Sequence, residues 1–133
     1  MVMKLAVENV RTIGIVGTGK IGASWAVYYL AQGLNVIATD PSAGAEHKLR
    51  VAVDNAWPSL EQLGLEKSAS RERLRFSTSL EVALSDVDFV QESTPEREEI
   101  KDSVISAISQ VVHPNVVIAS STSGIVPTRL QAQ

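Results

Sequence analysis

Residues 12–22 read Thr12-Ile13-Gly14-Ile15-Val16-Gly17-Thr18-Gly19-Lys20-Ile21-Gly22, and no other feature constrains the fold as strongly. An apolar, β-branched run ending in glycine reads as a buried strand. Residues 20–32 then carry Ile21, Trp25, Tyr28 and Tyr29 at helical spacing, and Gly33 stands where a left-handed residue ends a helix. Asn35-Val36-Ile37-Ala38-Thr39-Asp40 is a second apolar strand. Strand, helix and strand within about 30 residues form a βαβ unit, which requires parallel pairing and a right-handed crossover.

The pattern continues to the far end. Residues 41–74 are helical in period, with Leu49, Val53, Trp57, Leu60 and Leu63 roughly on one face. Pro58 removes a donor and clashes one turn back, so two helices in a projecting hairpin are expected there. Arg75-Phe76-Ser77-Thr78 reads as a weak strand, residues 80–84 as a short helix, and residues 87–92 as a further strand. Residues 95–111 form the clearest late helix, with Thr94 as its cap, Pro95 in its first turn and Ile100, Val104, Ile108 and Val111 as its buried stripe. Val116-Val117-Ile118-Ala119 closes the series as a strand. The alternation predicts an α/β fold: a doubly wound, mainly parallel sheet with a helical insert after the second strand, in one domain over residues 1–133.

Composition narrows the chemistry. A 133-residue chain is one ordinary domain, and 44% hydrophobic with 20% charged residues excludes disorder. Twelve basic against fifteen acidic residues leave a net charge of −3, so no basic footprint for nucleic acid exists. The absence of Cys excludes a disulfide scaffold and a thiolate nucleophile, and two His make a multi-His metal site improbable. No apolar run approaches the ~18 residues that span a bilayer. A cytoplasmic domain without membrane or metal is the expectation.

Gly17-Thr18-Gly19-Lys20-Ile21-Gly22 is a G-x-G-x-x-G between strand and helix, and each glycine has a task. Gly17 permits the tight turn, Gly19 lets backbone approach a pyrophosphate, and Gly22 lets the helix pack close to the sheet. The anion then sits on unpaired N–H groups at the positive end of the helix. Asp40 follows Gly22 by 18 residues, at the end of the second strand, where a carboxylate accepts bonds from ribose hydroxyls and repels a 2′-phosphate. NAD rather than NADP is therefore expected. Asp40-Pro41 also fits a plain helix cap, and both roles are compatible. Thr18 and Ile21 complete the loop. Lys20 lacks the P-loop frame and reads as a solvent-facing first-turn residue.

Gly17-Thr18-Gly19-Lys20-Ile21-Gly22-Ala23-Ser24-Trp25 and Asp40-Pro41 resemble the amino-terminal NAD-binding domain of the 3-hydroxyacyl-CoA dehydrogenase superfamily. Asn55-Ala56-Trp57-Pro58-Ser59-Leu60, Gln91-Glu92-Ser93-Thr94-Pro95-Glu96-Arg97 and Ala119-Ser120-Ser121-Thr122-Ser123-Gly124 are similar to its L-carnitine dehydrogenase branch, with L-gulonate dehydrogenases as near relatives. The resemblance implies a Rossmann domain from a dehydrogenase that oxidises the 3-hydroxyl of a small hydroxy acid, L-carnitine to 3-dehydrocarnitine. A 3-hydroxyacyl-CoA or L-gulonate dehydrogenase is the alternative, and a non-catalytic NAD-binding or crystallin-like module is another. It further implies a truncated subunit, which stops at Gln133 shortly before the family's catalytic His would be expected and lacks the carboxy-terminal helical domain that completes the site and through which full-length relatives form homodimers.

The resemblance also assigns individual residues. Glu96 and Lys101 match positions that contact the nicotinamide-side ribose. Without it, Glu96 is an acid favoured near a helix N-terminus and Lys101 a solvated helix residue. Ser123 matches the serine that hydrogen-bonds the substrate hydroxyl or carbonyl, and is the one catalytic candidate. Its alternative is a Ser/Thr-rich turn, the reading given to Ser120, Ser121 and Thr122. His47 and His113 read as surface or structural, and Lys67, Arg71, Arg73 and Arg75 as a solvated basic cluster.

Overall fold

Alternation within β1 (Thr12–Val16) sends Ile13 and Ile15 to one face of the sheet and Gly14 and Val16 to the other, and all four are buried. Burial on both faces is what a central strand of a parallel sheet requires. The structure, a computed structural model, describes residues 9–94 and 97–120. After β1 come α1 (Lys20–Ala31), β2 (Asn35–Thr39), α2 (Ala45–Leu63), β3 (Leu74–Phe76), α3 (Leu80–Leu84), β4 (Phe89–Glu92), α4 (Glu98–Val111) and β5 (Val117–Ser120). The strands pair in the order β3-β2-β1-β4-β5, every pair parallel. The doubly wound sheet is confirmed.

Two apolar layers flank it. Ile13, Ile15, Val36 and Ala38 pack under Ala23, Ala26 and Leu30 of α1 and Leu49, Val53 and Trp57 of α2. On the opposite face Val16 and Val90 meet Ala83 and Leu84 of α3 and Ile108 of α4. A Cβ at Gly14 would lie 2.5 Å from Leu84 Cδ2, so this glycine is the seat of α3. Among the described residues no helix is long and apolar enough to cross a membrane.

Helix α1 packs on the sheet through Gly22, Ala23, Ala26, Leu30 and Ala31, while Trp25, Tyr28 and Tyr29 stay partly or largely exposed. It lies too close to the sheet for large rings, so Trp25 stacks on Tyr29 with centroids 5.6 Å apart and Tyr28 stays 52% exposed. Pro58 does not split the insert, since α2 runs unbroken from Ala45 to Leu63. Proline inside a helix costs about 3 kcal/mol. Burying Leu49, Val53 and Trp57 contributes about 1.5–3 kcal/mol for each such side chain, and both Pro58 and Asp54, one turn back, face solvent. The basic cluster is also not simply solvated. Arg71 bonds Asp54 at 3.0 Å and lies 5.8 Å from the Trp57 ring centre, while Arg73 bonds Asn35 Oδ1 at 3.0 Å and the Ser68 carbonyl at 2.6 Å. These contacts fasten the 3₁₀ turn at Arg71–Arg73 to α2 and β2.

Candidate functional site

The chain winds one way from β1 through β2 to β3 and the other way to β4 and β5, so the connections leaving β1 and β4 diverge. Open parallel sheets bind ligands at such a switch point, beyond the carboxyl ends of the strands. The register aligns those ends: Val16 pairs with Thr39 and with Glu92, and Glu92 with Ser120. A cleft of about 870 Å³ opens there. Its floor is Gly17, Gly19, Lys20 and Ile21 after β1, one wall is Thr39, Asp40, Pro41 and Ser42 after β2, and the other is Ser93 and Thr94 after β4. Leu80, Ile100 and Val104 supply an apolar side.

Each glycine of the loop now has a measurable role. Gly17 holds φ +93, and a Cβ there would lie 2.8 Å from the Ser93 carbonyl. At Gly22 a Cβ would come within 1.9 Å of the Gly17 carbonyl oxygen. Gly19 differs from both. Its φ of −69 suits any residue, and a Cβ would meet nothing within 4 Å. Among the described residues nothing requires glycine at this position, which borders the cleft as the N-cap of α1 without any side-chain cap bond. The orphan N–H groups of the first turn therefore face open space that a pyrophosphate fits.

Asp40 does more than the sequence indicated. Its Oδ2 accepts from the Thr18 N–H at 2.9 Å and from Thr18 Oγ1 at 3.2 Å, and its Oδ1 accepts from the Ser42 N–H at 2.8 Å. The cap reading needs correction, because α2 starts at Ala45 behind Gly44, and Asp40 closes a local turn instead. The carboxylate thus latches β2 to the glycine loop, which buries Thr18 but leaves Lys20 and Ile21 exposed at the cleft. Partial burial raises the Asp40 pKa, and the bonds from Thr18 and Ser42 outweigh it, so the net shift is downward. The folded-state pKa then lies below the unfolded value of about 3.9. The latch contributes fully above that value and is lost as pH falls through the folded one. We expect the Tm gap between wild type and Asp40→Asn to shrink below about pH 4. Thermal melts across pH 3–7 check this, and a constant gap would show that the charge holds nothing.

Lys101 is not solvated. It is 1% exposed, and its Nζ lies 3.0 and 2.8 Å from the two carboxylate oxygens of Glu92, itself 0% exposed. Glu92 also accepts from the Thr94 N–H at 2.6 Å, from Thr94 Oγ1, and from Ser120 Oγ at 2.7 Å. Thr94 accordingly does not cap the late helix, whose N-cap is Arg97. Nor is Ser120 loop, since it ends β5. The sequence reading missed Glu92. A carboxylate closing the otherwise apolar Phe89-Val90 strand, nine residues before a lysine on a helix, was the available signal. Glu96 and Ser123 lie outside the described residues. His47 and His113 are exposed, and His113 Nδ1 accepts from the Asn115 N–H.

Comparison with known proteins now decides the family. The model of the 3-hydroxyacyl-CoA dehydrogenase NAD binding domain matches residues 12–133. The chain belongs to this family. Among relatives of this dehydrogenase domain, L-carnitine dehydrogenase of Oceanobacillus iheyensis is 47% identical over 121 residues, covering 91% of this chain and 39% of that protein. L-carnitine dehydrogenase of Pseudomonas aeruginosa is 46% identical over 127 residues, covering 96% and 40%. The chain spans about two-fifths of the length of these curated relatives. Among solved structures, (S)-3-hydroxybutyryl-CoA dehydrogenase of Ralstonia eutropha superposes with a TM-score of 0.83 at 34% identity, over 93% of this chain and 45% of that one. NAD is the cofactor of the domain, and the cleft fits it.

Proposed function

We propose that this chain is the cofactor-holding part of a dehydrogenase that oxidises the 3-hydroxyl of a small hydroxy acid, L-carnitine before the acyl-CoA or L-gulonate alternatives. The single observation that carries the binding role is Gly19, a glycine bordering the cleft whose missing side chain leaves space that no described residue fills. The choice of L-carnitine draws on the relatives at 46–47% identity that bear that name. NAD supplies a hydride acceptor when bound. The chain's own groups bind and orient it: the first turn of α1 takes the pyrophosphate, and Asp40 faces the adenine-side ribose. Ser123, which follows β5, is assigned to hydrogen-bond the substrate hydroxyl. Glu96 is assigned to the nicotinamide-side ribose. We propose further that the whole enzyme is a cytoplasmic homodimer.

The test is a paired titration of NADH and NADPH by fluorescence. NADH is expected to bind more tightly, because Asp40 opposes a 2′-phosphate. Asp40→Ala should narrow the preference by roughly 1–3 kcal/mol, the range for a lost hydrogen bond to a charged group. It should also weaken NADH itself, since the Thr18 latch is lost. Equal affinity for both cofactors in the wild type would remove Asp40 from this role.

A further inference from the structure

Three hydrogen-bond donors converge on one anionic position at the end of β2. The Thr18 nitrogen and hydroxyl oxygen lie 2.9 and 3.2 Å from Asp40 Oδ2, and the Ser42 nitrogen lies 2.8 Å from Oδ1. Given the NAD-binding role proposed above, on which this rests, we infer that these donors form a site for the 2′-phosphate of NADP that the chain fills with its own Asp40 carboxylate. Thr18 and Ser42 are then specificity-determining residues beside Asp40. NADP is excluded because the partners of its extra phosphate are already engaged, and not by repulsion alone.

An ionised carboxylate and a phosphate monoester meet donors in the same way, since each only accepts. Partial burial raises the Asp40 pKa, and the bonds from Thr18 and Ser42 carry it below the ordinary value, so the position favours negative charge through its own donors. The donors do not depend on Asp40 for their place. Thr18 is 8% exposed, and Gly17 beside it donates its N–H to the Thr39 carbonyl at 3.0 Å, a link between the loop and β2 that bypasses the carboxylate. On the outer side residues 41–44 are exposed, and a Cβ at Gly44 would meet no described atom within 4 Å, which leaves room for a group larger than a carboxylate. Asp40, Pro41 and Ser42 all border the cleft. An arginine commonly receives a 2′-phosphate in this fold. The described lining residues include none, with Lys20 as their one cation, and the convergent donors are what they offer instead.

Repulsion and occupancy predict different things once the carboxylate is removed. If repulsion alone excludes NADP, Asp40→Ala relieves it, and the relief is indifferent to the Thr18 hydroxyl. If occupancy contributes, Asp40→Ala leaves the Thr18 N–H, the Thr18 hydroxyl and the Ser42 N–H without their acceptor, and unpaired donors are costly to bury. A 2′-phosphate restores all three as charge-assisted bonds, which a neutral ribose hydroxyl does not. NADP then gains affinity in absolute terms, and the gain depends on the Thr18 hydroxyl.

The experiment titrates NADH, NADPH and 2′,5′-ADP into the whole chain as wild type, as Asp40→Ala, and as Asp40→Ala combined with Thr18→Val or with Thr18→Ser, with Tm read alongside. Asp40→Ala should bind NADPH and 2′,5′-ADP at least about tenfold more tightly than wild type, and NADH more weakly. Adding Thr18→Val should remove about fivefold or more of that gain while changing NADH affinity less than about twofold. Thr18→Ser, which keeps the hydroxyl, should retain the gain. A gain that survives Thr18→Val would show repulsion acting alone and overturn the inference. So would Thr18→Ser as weak as Thr18→Val, a Thr18→Val loss shared equally by NADH, or an Asp40→Ala protein with lowered Tm and no tighter NADPH binding. Should Asp40→Ala fail to fold, Asp40→Ser takes its place, because its hydroxyl accepts from the Thr18 N–H and donates to a phosphate. The same gain then supports the inference, and no gain or failure to fold overturns it. Wild-type chain that binds no NADH would remove the cofactor reading first and this inference with it.

Discussion

Gly19→Val should leave the domain folded, with a Tm close to wild type, and lower NADH affinity at least 100-fold, about 2.7 kcal/mol. The backbone at position 19, φ −69 and ψ −163, is extended and acceptable to valine, and a Cβ there meets no atom of the described residues within 4 Å. The added methyl groups then stand where phosphate oxygens must approach the first N–H groups of α1. Gly22→Ala is the contrasting control. Its Cβ would sit 1.9 Å from the Gly17 carbonyl oxygen, so that variant loses stability whether or not cofactor is present. Melting curves with NADH titrations separate the two effects. A folded Gly19→Val protein with undiminished affinity would reduce the loop to a turn.

These glycines also mark how far a single sequence carries. The tight turn at Gly17 and the close packing at Gly22 were legible because each is local, set within one strand-to-helix turn. The α/β alternation was legible for the same reason: β-branched runs and helical spacing declare themselves over a few residues. Pro58 misled because its penalty is local, whereas the burial of Leu49, Val53 and Trp57 that outweighs it depends on the sheet beneath. How closely α1 approaches the sheet, and so which of its residues are buried, is likewise a tertiary quantity. Asp40 was half legible. Its place after β2 pointed to a ribose, but its bond to Thr18, 22 residues earlier, follows from β1 and β2 being neighbours. Glu92 was the largest omission. Nothing in Gln91-Glu92 reveals that β5 and α4 bring Ser120 and Lys101 to it, and a buried charge is recognised only when its partner is seen.

By itself the 133-residue chain should bind NAD yet show no dehydrogenase turnover. Transfer of a hydride from the substrate carbon requires a base within hydrogen-bond reach of its hydroxyl. The sequence holds only His47 and His113. His113 precedes β5, and the cleft lies beyond the carboxyl ends of the strands, about 13 Å further along. His47 lies in the first turn of α2, beyond β2, and β2 is three strand spacings from β5, roughly 14 Å. Both are exposed, and neither lines the cleft. A missing general base costs about 10²–10⁴ in rate, and an incomplete surface for positioning substrate costs further orders of magnitude. The chain covers 40% of the Pseudomonas aeruginosa L-carnitine dehydrogenase, so joining it to the remaining carboxy-terminal portion of that relative should supply a base and a surface that positions substrate. The fusion is expected to reduce NAD with L-carnitine in preference to (S)-3-hydroxybutyryl-CoA, read as NADH absorbance, while the purified chain alone stays at background. Turnover by the chain alone in the ordinary range of about 1–10³ s⁻¹ would mean that a base within these residues reaches the substrate. His113→Ala and His47→Ala would then identify it.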